Sequence, residues 1–263
     1  MIGFFLKKNF FDGWDNIISL VLPNLIIFTL AIGTYSLVGF LLSLPLPFFP
    51  IPLIVLLLGW MLLTVSIFAF GENAAQIANF KSVSIKDYFK SFLDVWKDAV
   101  VFSLISGVIV FMAIFAIPFY LSFDSTLGLL LAAFVFWTVV ICLLSFQWVL
   151  PIRSLMHNNI AKSLKKSFLI FFDNPGFSLF IFLYTVFLLA VSVVFFFIIP
   201  GATGIVLAHT NALRLRLYKY DWLEEHPDAT PKDRKHIPWQ ELLAEDRENV
   251  GPRDFKSFIF PWK

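Results

Sequence analysis

Residues 127–150 read LGLLLAAFVFWTVVICLLSFQWVL, an uncharged stretch of mostly aliphatic and aromatic side chains. About 20 such residues are needed for a helix to cross the hydrocarbon core of a bilayer. A strand of a membrane β-barrel would instead alternate polar and apolar residues over about ten positions, and this stretch does not alternate. Backbone amides in lipid need partners within their own segment, so the stretch is predicted to be a transmembrane helix.

Five further apolar stretches extend this pattern along the chain. The predicted spans are 17–44, 52–71, 99–121, 127–150, 177–199 and 201–217. The last is the weakest, because it is short for a full crossing at about 1.5 Å per residue. Proline-rich or polar segments separate the spans. The sequence therefore predicts an all-α membrane protein, with a six-helix transmembrane domain over 1–217 and a cytoplasmic tail over 218–263.

The composition agrees with a protein whose main solvent is lipid. Of the 263 residues 59% are hydrophobic and 14% are charged, whereas soluble domains carry about 25% charged residues. The net charge of +2 implies no nucleic-acid partner. The single cysteine, Cys142, excludes an internal disulfide, and no cofactor or metal cluster is indicated. The first apolar run is longer than the core of a secretory signal, so it is predicted to be a retained span.

The orientation follows from the lysines and arginines. All 20 fall in four regions: 7–8, 81–97, 153–166 and the segment after 213. The turns at 45–51, 122–126 and 200–201 contain none. Basic residues accumulate in the cytoplasmic loops of inner-membrane proteins. Six crossings would place every base and both termini in the cytoplasm.

Three cytoplasmic segments resemble one another in sequence. They read KNFFDGW at 8–14, KSFLDVW at 90–96 and KSFLIFF at 166–172, and each leads into an apolar span. Each unit would be an amphipathic interfacial segment followed by a membrane hairpin, which suggests a pseudo-threefold repeat. Because Phe is so common in this chain, chance is the alternative explanation.

The middle segment has the clearest amphipathic pattern. Ser84 and Asp87 have the spacing of a capping box, and apolar residues then recur at helical spacing. Such a helix lies in the headgroup plane, where it either docks a partner or only positions the hairpins. The tail is predicted to fold back and dock onto the membrane face or the cytoplasmic loops. The alternative is a free peptide that binds a partner. The membrane-interface or partner-docking candidates are Trp14, Phe92, Trp96, Lys90, Lys165, Lys166 and Trp262.

The order of these features resembles the YesL-like family of uncharacterised bacterial integral membrane proteins. The resemblance covers about residues 10–217 and rests on IKDYFKSF at 85–92, VLPIR at 149–153, AKSLKKS at 161–167 and DNPG at 173–176, with Asn211 in the last span. It implies a role beside a carbohydrate ABC transporter. The tail from Tyr218 onward departs from the family pattern.

Polar groups at membrane depth are the candidates for a functional site. They are Glu72, Asn73, Gln76, Gln147, His209 and Asn211. If the hairpins pack around one axis, these groups would converge into a polar cluster that faces the cytoplasm, with Glu72 as its anion and His209 as a titratable partner. The alternative is that they lie at helix ends and are solvated.

The sequence indicates no enzyme. It contains no His-Glu-x-x-His helix, no phosphate-binding glycine loop and no Gly-x-Ser-x-Gly elbow. The expected function is that of an accessory or scaffold component of a transporter or envelope assembly. A small-solute transporter or channel is the alternative.

Overall fold

The computed structural model describes residues 1–44, 50–228, 230 and 237–253, and within these ranges the chain is helical with no strand. Twelve α-helices and one π-helical turn follow one another along the described chain. They are α1 (Ile2–Asp15), α2 (Ile17–Ser43), α3 (Pro50–Ala78), α4 (Ile85–Phe111), the π-turn (Met112–Ala116), α5 (Ile117–Leu121), α6 (Thr126–Phe146), α7 (Val149–Met156), α8 (Ile160–Asp173), α9 (Pro175–Val194), α10 (Gly201–Glu225), α11 (Trp239–Leu242) and α12 (Ala244–Val250).

Five helical stretches are long and apolar enough to cross a membrane. They are Ile17–Ser43, Pro50–Ala78, Ile85–Leu121, Thr126–Met156 and Pro175–Val194. The expected all-helical fold is thereby confirmed for the described residues, with five helical stretches suited to span a membrane. The sixth stretch, α10, is not among them, so six spans and a threefold repeat stay predictions.

The amphipathic middle segment and the third span form one continuous helix rather than two elements. The predicted capping box begins it: Asp87 N donates to Ser84 Oγ and Ser84 N donates to Asp87 Oδ2, at 3.4 and 3.0 Å. No break occurs at residue 99, where the span was expected to start. Pro118 has no backbone N–H to donate within the helix, and the π-turn just before it accommodates the missing hydrogen bond.

Helices α3 and α10 form the centre of the molecule. α3 packs against α2, α4, α7 and α10, and α10 packs against α1, α2, α3, α7 and α9. Most side chains of α10 up to Leu215 are therefore buried, and Thr203, Thr210 and Asn211 are at most 1% exposed. This shielding explains why α10 can be less apolar than the surrounding helices.

The described part of the tail, residues 237–253, is named here the C-terminal strap. It packs against α1 and α10, with Leu243, Asp246 and Val250 at most 2% exposed. Arg214 on α10 forms an ion pair with Asp246, and Lys7 donates to the carbonyl of Gly251 at 3.0 Å. The predicted docking of the tail is confirmed for this strap. The aromatic and basic end with Trp262 lies outside the described residues.

Candidate functional site

Arg153 is the centre of a polar site where α3, α4 and α7 meet. It lies on α7, the short helix that follows a turn at Gln147 and Trp148. Its residue is 9% exposed, so its guanidinium needs partners for its hydrogen-bond donors. α7 packs against α3, which brings Arg153 alongside the last turns of that helix.

Three acceptors from two helices surround the guanidinium. Nη1 donates to Glu72 Oε1 at 2.6 Å, and Nε donates to Asp98 Oδ2 at 2.9 Å. Nη2 donates to the backbone carbonyl of Asp94 at 3.1 Å. Only arginine presents its donors in such a planar fork, and one side chain thereby joins α3, α4 and α7.

A cavity of about 540 Å³ opens beside this arginine. Its charged lining holds four carboxylates and two cations, a formal balance of two negative charges, which favours a cationic or zwitterionic occupant over an anion. The lining residues are Glu72, Gln76, Asp87, Lys90, Ser91, Asp94, Asp98, Arg153, His157, Asn158 and Asn159.

One carboxylate of the lining is already used in a helix cap. The side chain and the backbone N–H of Ser84 both donate to Asp87, and these hydrogen bonds lower the pKa of the Asp87 carboxyl. Asp87 therefore contributes its charge to the rim of the cavity while its Oδ2 atom stays bonded to Ser84. No group of three or more His, Cys, Asp and Glu suited to a metal ion occurs among the described residues.

Only two of the six predicted polar-site residues line this cavity. They are Glu72 and Gln76. Asn73 is 1% exposed and donates to the carbonyl of Ser84 at 3.5 Å. Glu72 and Gln76 therefore lie together near the end of α3, on the side of that helix that faces α4 and α7.

The other three predicted residues have partners elsewhere. Gln147 donates to the carbonyl of Ser178 at 2.9 Å. His209 Nε2 lies 2.7 Å from Thr185 Oγ1, and Asn211 donates to Asn9 at 3.3 Å. Each of these bonds joins two helices, so the six residues do not form the single cluster that a common axis would have produced.

The interface candidates are distributed over three helices. Trp14 on α1 and Trp96 on α4 are 50% and 48% exposed, while Phe92 is half-buried and packs against the core around α3. Lys90 lines the cavity. Lys165 on α8 is exposed, and Lys166 approaches the sulfur of Met156 at 3.8 Å.

A second buried charge network connects α1, α10 and the C-terminal strap. Lys8 is fully buried and donates to Asp12 Oδ2 at 2.7 Å, with its ammonium 3.8 Å from the centre of the Phe80 ring. Burial lowers the pKa of Lys8 and raises that of Asp12, and the attraction between the two opposes both changes. Arg214 and Asp246 lie next to this pair and contribute to its electrostatic field.

The sequence reasoning missed Arg153 and Asp98 as site residues. Arg153 is the first arginine of the chain and directly follows the apolar residues VLPI at 149–152. A single charge at the end of an apolar stretch was the feature of the sequence that could have indicated this site. Comparisons of the chain with protein-family models, with curated proteins and with solved structures found no match.

Proposed function

We propose that the protein is a non-enzymatic accessory or scaffold component of a transporter or envelope assembly in the inner membrane, with both termini in the cytoplasm. The sorting of all 20 lysines and arginines away from the turns at 45–51, 122–126 and 200–201 supports this orientation. The resemblance to YesL-like proteins supports a carbohydrate ABC transporter as the kind of partner.

The observation that carries the proposal is the projecting start of α4. Asp98 bonds to Arg153 beside the open cavity and marks the level at which water reaches the bundle. From Asp98 to Leu121 the helix covers about 35 Å, enough to cross a hydrocarbon core of about 30 Å. The residues before Asp98 add about 20 Å of unbroken helix beyond that level.

This part of α4 carries an apolar stripe that remains exposed among the described residues of the protein. Phe89, Leu93 and Trp96 are 55%, 82% and 48% exposed and share one helix face. The stripe continues into the lipid-facing side of α4 at Leu104. A partner that is itself embedded in the membrane would cover both parts together, whereas a soluble partner would cover only the projection.

A substitution in the stripe tests the proposal. In gentle detergent the protein is expected to copurify with a membrane partner in fixed stoichiometry. Leu93→Asn is expected to reduce that recovery at least fivefold. The control variant Leu169→Asn, at an exposed leucine of α8 (59%), is expected to leave recovery unchanged. If both variants or neither weaken recovery, α4 is not the docking surface.

The second candidate function is a small-solute transporter with a site open to the cytoplasm. The observation in its favour is the net acidic cavity, because Glu72 lies within it. Glu72→Gln should then alter uptake of a cationic solute into proteoliposomes, and His209→Ala should do so if the path continues past α10. Flux no higher than in empty vesicles for cationic, zwitterionic and sugar solutes would remove this candidate.

A further inference from the structure

Helix α9 has the length and composition of a membrane span, but its two ends contact the same end of the bundle. It contains 20 residues, which is about 30 Å of helix. If it crossed the membrane alongside the other spans, its first and last turns would contact opposite ends of its neighbours. The contacts at its two ends can therefore decide whether it crosses.

The Arg153 end of the bundle is defined by the start of α2, the end of α3, the cavity-lining part of α4 and the end of α6. Two ring contacts mark this level across three helices: Phe68 to Phe102 at 5.3 Å and Phe102 to Phe146 at 5.4 Å. The opposite end holds the end of α2, the start of α3 and the connection from α5 to α6.

The first turn of α9 is tied to the Arg153 end through α6. Gln147 and Trp148 directly follow the last residue of that helix. Gln147 donates to the carbonyl of Ser178 at 2.9 Å, and the indole of Trp148 donates to Ser178 Oγ at 3.0 Å.

The turn after α9 is tied to the same end through α2. Asn24 donates to the carbonyls of Ile198 and Pro200 at 2.9 and 2.8 Å and accepts from the backbone N–H of Thr203 at 3.0 Å. Thr203 Oγ1 donates to the carbonyl of Leu20 at 3.0 Å. Asn24 lies about 10 Å from the start of α2 and about 28 Å from its far end.

The chemistry of this turn fits a position in hydrocarbon rather than in water. Phe195, Phe196 and Phe197 are 54%, 73% and 41% exposed at its tip. Two of its carbonyls, those of Ile198 and Pro200, accept from Asn24, which is 1% exposed, so these two groups have the protein partner that lipid requires. A Cβ at Gly201 would overlap the Asn24 side chain, so the close approach needs glycine. A turn on the outer surface would need neither feature.

We propose that α9 lies in the plane of the membrane within the leaflet at the Arg153 end, and that its exposed face is a docking surface for the acyl chains of that leaflet. One face of α9 is apolar and 48% to 70% exposed at Leu179, Leu183, Val186, Phe187, Val193 and Val194. The other face packs against α6 and α10. Because one face of α9 contacts acyl chains and the other contacts apolar side chains of the protein, the helix is as apolar as a transmembrane span although it does not cross the membrane.

The recess beyond the turn agrees with this placement. α2 continues past the turn, and a cavity of about 330 Å³ lies between the two, lined by apolar side chains such as Ile27, Phe28 and Phe197. A full-length α9–α10 hairpin would have filled this space. The chain then crosses four times, through α2, α3, α4 with α5, and α6, and both termini stay on one side.

Spin-label depth measurements separate an in-plane α9 from a crossing α9. Nitroxides are placed at Leu179→Cys or Val194→Cys in a Cys142→Ser background, and the protein is reconstituted in vesicles of phosphatidylethanolamine and phosphatidylglycerol. A crossing helix would separate these two depths by about 22 Å, and the in-plane helix by less than about 5 Å, one helical pitch. Leu183→Cys and Val193→Cys form a second exposed pair if either variant misfolds. On α6, the pair Leu129→Cys and Leu143→Cys should differ by about 21 Å.

Labelling of single cysteines from outside intact cells gives an independent readout. With a membrane-impermeant maleimide, Ser122→Cys at the α5–α6 connection is expected to react and Phe196→Cys is not. A depth difference of about 20 Å between positions 179 and 194, or reaction of Phe196→Cys at the rate of Ser122→Cys, would overturn the proposal.

Discussion

Replacing Arg153 with methionine tests whether its guanidinium holds α3, α4 and α7 together. Methionine keeps an unbranched apolar stem but removes three hydrogen bonds, two of which are also ion pairs. It leaves the carboxylates of Glu72 and Asp98, each 23% exposed, without their shared cation. Breaking a fully buried pair costs about 3–5 kcal/mol, and because water reaches these carboxylates in part, we expect a loss of about 2–4 kcal/mol.

The assay is thermal unfolding of the purified protein in detergent. The expected loss lowers Tm by about 5–15 °C for a chain of this size. Arg153→Lys should recover part of it, since lysine keeps the charge but not the fork. Combining Arg153→Met with Glu72→Gln and Asp98→Asn should recover most of it, because no unpaired charge is then left. Lys162→Met on exposed α8 is the control. A loss below about 0.5 kcal/mol for Arg153→Met, or no recovery on neutralisation, would refute the reasoning.

Three further predictions concern the strap, the α9–α10 turn and the acid limb of stability. Asp246→Ala removes the partner of Arg214 and should raise the rate of amide hydrogen exchange across residues 237–253 at least tenfold. Glu245→Ala is the neighbouring control, and an unchanged exchange rate in Asp246→Ala would contradict the prediction. Asn24→Ala leaves the carbonyls of Ile198 and Pro200 without their donor and should cost about 1–3 kcal/mol in thermal unfolding; full stability would mean that water reaches the turn. Burial opposes ionisation of Asp173, but hydrogen bonds from Lys219, Tyr220 and Asn174 outweigh it and lower its pKa below 3.8. The stability it contributes is therefore present above pH 3.8 and lost as the pH falls through the lowered pKa. Asp173→Asn should accordingly weaken the dependence of the free energy of unfolding on pH below 3.8. An unchanged pH dependence in that range would contradict the assignment.

Features that depend on local sequence were predicted well. The capping box at Ser84 and Asp87 forms as expected. Its two residues are three positions apart, so the geometry of one helical turn is enough to bring them together. The apolar composition likewise predicted helices in lipid, because hydropathy reports the solvent of a segment.

Features that depend on distant partners were not predictable in the same way. Arg153 bonds to residues 81 and 55 positions away, and no local pattern encodes such a meeting. Hydropathy also carries no information on the angle at which a helix lies in lipid. The α9 sequence reads as a span for this reason, and only the contacts of Ser178 and of Asn24 locate its ends.

The C-terminal strap has a consequence for the order in which the protein matures. Lys7 and Gly251 are separated by 244 positions, so during synthesis α1 is made long before the segment that will cover it. Until the ribosome has released that segment, Arg214 lacks its Asp246 partner and Lys7 lacks its acceptor at Gly251. The first helix of the chain is therefore completed by some of the last residues to be synthesised, and chains cut short before residue 237 would lack these contacts altogether.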